Sequence, residues 1–174
     1  MSATITVETW SYARPWHLLR NQLADCTRWR KIVSGDDAAP ATQAEALDKI
    51  IYFWIDKHDT LQTIPLCMIR GLDDDEREQV SILEFSGGGP IVLEFVLPVD
   101  PAYVNNYQDA GLDLFNKIGE IFKQLKTLLE AADRSNYLGS MNTITLNRHG
   151  EGDATQNNGK QFWLFEFVII WTGM

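Results

Sequence analysis

The chain is short of most features that mark catalytic or metal-binding proteins. Its two cysteines, Cys26 and Cys67, are far apart and outside any CxxC spacing, so they form no zinc or redox motif. Buried free thiols are the expectation for both. Histidine is scarce too: His17, His58 and His149 sit in unrelated settings. Asp56 and Asp59 flank His58 and would orient an imidazole, but no GxSxG and no cysteine-with-partner pattern supplies a nucleophile. Positive charge is sparse, with 15 Lys and Arg against 24 Asp and Glu and a net charge of −9. A phosphate-binding surface needs the opposite balance. The longest apolar run, Phe162–Trp171, is broken by Glu166 and is too short to span a bilayer. Met1–Trp10 lacks the basic-then-apolar order of a secretory signal, so synthesis in the cytosol and no membrane partner are expected.

Two clusters invite a ligand and fail on spacing. Asp73-Asp74-Asp75-Glu76 places its carboxylates consecutively, whereas a calcium loop alternates them and ends on a bidentate Glu; it reads as a solvated turn. Gly87-Gly88-Gly89 is followed by Pro90 and an apolar strand, with no Lys and no helix start, so it is a hairpin turn and no phosphate cradle. The sequence therefore predicts no catalytic residue, no cofactor and no metal.

What is present is pattern. Asp109–Asp133 carries apolar residues at Phe115, Ile118, Phe122, Leu125, Leu129 and Ala132, in steps of three and four. Leu112, Leu114, Ile121 and Leu128 widen the seam, and the lysines and glutamates fall largely outside it. Such a helix, about 37 Å long, suits a position across a sheet. The size predicts a single domain over 1–174, with residues 1–14 as an arm or edge strand. Pro15 opens a helix from Trp16 to Val33, which carries Arg14, Arg20, Arg28, Arg30 and Lys31 and is the one basic element of the chain. Those arginines are candidates for contact with an acidic partner, against the plainer reading of a solvated face. Thr42-Gln43-Ala44-Glu45 fits a capping box for a short helix.

Strands are expected at Ile50–Ile55, Pro65–Arg70, Val80–Phe85, Ile91–Leu97, Met141–Arg148 and Gln161–Trp171, with Ser86–Pro90 turning a hairpin. His149–Lys160 is polar and Gly-rich, a long flexible hairpin tip. The last strand is apolar on both faces: Phe162, Leu164, Val168 and Ile170 on one, and Trp163, Phe165, Phe167, Ile169 and Trp171 on the other. Either the N-terminal helix covers the second face, or Trp163, Phe165, Phe167 and Trp171 meet another subunit. The fold class is α+β: a mostly antiparallel sheet packed on one long central helix, with an N-terminal helix and extended hairpin loops.

This order, from Trp16–Val33 through the strands of Ile50–Leu97 to Asp109–Asp133 and the closing pair ending Ile169-Ile170-Trp171-Thr172-Gly173, resembles the tail-terminator and neck (head–tail joining, minor tail) proteins of long-tailed bacteriophages. The resemblance implies a virion structural protein with no catalytic residues. It would be assembled in the host cytoplasm as a homo-oligomeric, commonly hexameric, ring. Its implied partners are its own copies, the tail tube protein and the head-connector or stopper proteins. DNA would pass through the channel without specific binding, and an acidic wall suits that passage. The competing classes are a monomeric α+β enzyme or small-molecule binder, and an adaptor using the basic helix.

Overall fold

In the computed structural model the described residues are 14–52, 64–71, 90–100, 102, 106–133, 143–147 and 162–170. The chain opens with helices α1 (Arg14–Asp25), α2 (Thr27–Ser34) and α3 (Gln43–Asp48), followed by strands β1 (Ile50–Tyr52), β2 (Leu66–Arg70) and β3 (Pro90–Pro98). The long helix α4 (Tyr107–Asp133) then leads to β4 (Thr143–Asn147) and β5 (Phe162–Ile170). The class is α+β, as the sequence predicts.

The expected single helix Trp16–Val33 is two helices, broken at Cys26 in an extended conformation. In an unbroken helix Arg30 would lie seven residues beyond Leu23, on the apolar stripe of Leu19, Leu23 and Cys26. The break turns Trp29 and Ile32 into the core instead. Trp29 packs edge-on against Phe95 and donates its indole N–H to the Ala46 carbonyl at 3.3 Å. Helix α2 ends at Gly35, whose φ of 71° is the left-handed conformation that lets its N–H reach back to the Lys31 carbonyl. The capping box of α3 forms as expected: the Thr42 hydroxyl accepts from the Glu45 N–H, and the Glu45 carboxylate accepts from the Thr42 N–H.

The sheet runs β1-β2-β3-β5-β4. All neighbours are antiparallel except β1 and β2, which are parallel. Leu93, Phe95 and Leu97 of β3, Phe165, Phe167 and Ile169 of β5, and Cys67 and Ile69 of β2 share one face. They form one core with Leu19, Leu23, Trp29 and Ile32 of the first helices and Ile118, Ile121, Leu125 and Leu129 of α4. The first helices and α4 therefore lie on the same side of the sheet, a two-layer arrangement. A smaller cluster on the other face centres on Leu66, Val96 and Phe162.

Within α4 the buried seam is rotated from the expected one. Ala110, Ile118, Ile121, Leu125 and Leu129 are buried, whereas Leu112 is 62% and Phe115 49% exposed. The helix starts two residues earlier than predicted, because the Asn106 side chain accepts from the Asp109 N–H and its carbonyl accepts from Ala110.

β3 is flanked by β2 along Val92–Val96 and by β5 along Pro90–Pro98. The first strand of the expected hairpin, Val80–Phe85, and its turn lie outside the described residues. The segments expected at Met1–Ala13, Asp56–Thr63, Val80–Phe85, Ser86–Gly89 and His149–Lys160 lie outside the described residues. The antiparallel pairing of β4 with β5 that the last loop would join is present.

Candidate functional site

Two sets of side chains stand out in the sequence as contact candidates, and the structure sorts both. Among the arginines, Arg20 is occupied inside the chain. Its Nε and Nη2 donate to the carbonyls of Ile50 and Leu47, each at 2.9 Å, and its guanidinium lies over the Tyr52 ring. Arg30 and Ala41 are tied twice, through Arg30 Nε to the Ala41 carbonyl and through the Ala41 N–H to the Arg30 carbonyl. Both side chains thus tie the short helices and β1 together within the chain, while remaining half-buried. Arg14 begins α1, and the placement of its side chain is not among the described features.

Of the expected interface aromatics, Phe165 and Phe167 belong to the chain's own core, 4% and 0% exposed. They stack edge-on with each other and pack against Phe95, while Phe122 of α4 closes over Phe167. The face they share is covered by helices from this same chain, so neither is a subunit contact. Trp171 lies outside the described residues. Trp163 alone of the three described is reachable, packing one side against the core.

Trp163 opens into a crevice of about 410 Å³ that Arg28 also lines. One member of each contact set therefore meets the other at a single place. The crevice lies where β3 ends, at Leu97–Asp100, between the C-terminal turn of α2 and the early turns of α4. Leu97 pairs with Trp163 across the sheet, which sets the indole at the floor. Leu114 and Ile32 complete the apolar part.

The charges around this floor are paired unevenly. Asp37 accepts from Arg28 Nη1 at 2.8 Å, and Lys117 holds Asp113 at 2.5 Å with Asp100 at 3.9 Å. The three aspartates of the crevice thus each have a cation. Lys31 lines the same space and has no ion pair among the described residues. Arg28 is nine-tenths buried. Glu120 Oε2 lies 3.0 Å from its Nε, yet that N–H is not aimed at the carboxylate and makes no hydrogen bond. Its Nη2 likewise has no hydrogen bond among the described residues. The crevice therefore holds an apolar floor beside unspent donors, in a chain whose overall charge is −9.

A second charged group was not foreseen. On the sheet face away from the helices, Arg70 donates to Glu94 at 3.1 Å and to Glu166 at 2.6 Å, with both carboxylates buried. The signal was available: Glu94 in Val-Leu-Glu-Phe-Val and Glu166 in Leu-Phe-Glu-Phe-Val are single charges inside apolar strands, and such a charge needs a partner when buried. This row is a structural tie between strands.

His17 is exposed on α1. His58, His149 and Asp73–Glu76 lie outside the described residues. Among the described residues no group of three or more His, Cys, Asp or Glu is placed to hold a metal ion, and no helix is long and apolar enough to cross a membrane. Compared with known proteins, the chain matches no protein-family model and no curated protein.

Proposed function

We propose that this chain is a non-catalytic structural protein of a long-tailed bacteriophage virion, which assembles as a homo-oligomeric ring in the host cytoplasm. The ring would end the tail tube or join it to the head connector and leave a channel through which DNA passes unbound. The observation that carries this reading is the convergence of Trp163 and Arg28 on one crevice at the end of the sheet. An accessible indole beside an arginine with unused donors is the composition of a protein contact, since Trp and Arg are the residues most enriched at interface centres. The order of elements supports it too: a helical N-terminal stretch, a mostly antiparallel sheet, one long helix packed on it and a closing antiparallel pair agree with what the resemblance implies, apart from the break of the first helix at Cys26. The acidic balance of the chain suits a wall that DNA must not adhere to.

Native mass is the test, measured over a concentration series with and without purified phage tails. The expected result is a closed oligomer, in solution or on the tube. A chain that stays monomeric at every concentration and leaves tails unbound would overturn the proposal.

A further inference from the structure

We infer that the crevice at Trp163 receives the segment preceding α1, residues 1–13, from an adjacent copy of the chain. This inference rests on the ring reading and supplies its contact. The two ends of that contact lie at opposite ends of the sheet. The first turn of α1 sits over the ends of β1 and β2: the Tyr52 hydroxyl bonds the Trp16 carbonyl, and a Cβ at Gly71 would lie 3.9 Å from the Trp16 ring. Arg70 is level with Val92, whereas the crevice begins at Leu97, near the far end of β3. At about 3.4 Å per residue, Val92 and Pro98 are about 20 Å apart. A segment leaving one end of the sheet and a receptor at the other make a head-to-tail contact, the kind that closes rings.

The chemistry of the segment matches the crevice. In the alternation of Met1–Ala13, Glu8 and Trp10 fall on the same side, about 7 Å apart if extended. That spacing offers a carboxylate to Lys31 and Arg28 Nη2 while an indole meets Trp163 and Leu114. Glu8 is the segment's only charged side chain before Arg14. The crevice aspartates, already held by Arg28 and Lys117, leave Lys31 as the uncommitted charge.

The test uses the full chain carrying Glu8→Cys and Lys31→Cys, oxidised mildly. Cys26 and Cys67 are buried and stay out of the exchange. The expected product is a reducible ladder of covalent multimers, and mixing the two single variants should give a crosslinked dimer. Trp10→Ala, with no cysteine introduced, should weaken association at least about tenfold, the equivalent of about 1.4 kcal/mol. A crosslink confined to monomers would overturn the inference, because the segment would then fill its own crevice. A closed native oligomer without any crosslink would also overturn it while leaving the ring reading standing. A chain monomeric alone and on tails would overturn both.

Discussion

Glu94 of β3 and Glu166 of β5 stand directly opposite each other, and the guanidinium of Arg70 from β2 bonds to both. Like charges opposed on neighbouring strands repel, and these two are buried, so the bridging cation offsets a conflict built into the sheet. The arrangement also guards register. A slip of one residue in β3 or β5 would turn a carboxylate into the core formed by Phe95, Phe167 and the helices.

Removing the cation should therefore cost more than removing the whole row. Arg70→Met leaves two buried carboxylates facing each other, and a loss of about 3–5 kcal/mol is expected in urea denaturation at neutral pH. The triple variant Arg70→Met, Glu94→Leu, Glu166→Leu should recover most of that loss, because apolar residues of similar volume replace a buried ionic group at little cost. A triple variant as unstable as the single one would show that the row contributes through shape and not through charge.

At α3 the prediction concerns pH. The Thr42 N–H, and then its hydroxyl, hold the Glu45 carboxyl below its ordinary value of 4.5. A lowered folded value means that the stabilisation is present above the unfolded value and is lost as pH falls through the folded one. The stability difference between the natural chain and Glu45→Gln should hence be constant near neutral pH and shrink below about pH 4.5. Thr42→Ala should cost about 1 kcal/mol near neutral pH. A stability difference that grows towards acid would contradict the cap.

These cases show what could be read from the sequence and what could not. The capping box, the long helix and the two longest strands are written in local spacing, and local spacing decides them. The break at Cys26 has neither Pro nor Gly to announce it; it follows from where Trp29 must go to meet Phe95. Arg20 looks like a surface charge in sequence, and only the fold brings the Leu47 and Ile50 carbonyls to it. The two apolar faces of β5 were legible, but not which face the helices would cover. That choice moved Phe165 and Phe167 from a presumed interface into the core and left Trp163 at its margin.

The thiols should be silent in the folded protein. Burial, with a smaller push from Asp25, raises the Cys26 thiol to about 12, and burial followed by the Glu94 charge raises Cys67 as well. Only the thiolate attacks a disulfide reagent. Incubation with an aromatic disulfide at pH 8 should label neither cysteine, and denaturant should release both at once. Rapid labelling of either thiol in the native state would mean that its helix or strand opens far more readily than this core allows.

The sharpest contrast lies two residues apart on β5. Phe165 and Trp163 point to the same face, yet one is enclosed by Phe95 and Phe167 and the other borders the crevice. Phe165→Asp removes a core aromatic, worth about 3–5 kcal/mol. It also buries a carboxylate in a cluster that is apolar among the described residues, a further cost of several kcal/mol. Together these approach the whole stability of an ordinary domain, about 5–15 kcal/mol. This variant should lack a cooperative thermal transition and lose near-UV ellipticity. Trp163→Asp places its carboxylate where Lys31 and Arg28 line the crevice, so it should stay folded and lower the melting temperature by only a few degrees. On the ring reading, Trp163→Asp should then be the variant that is folded but monomeric. The two must be compared by circular dichroism before native mass is interpreted, because a missing oligomer from an unfolded chain says nothing about the crevice. If Phe165→Asp proved as stable as Trp163→Asp, the helix layer would not cover this face of β5.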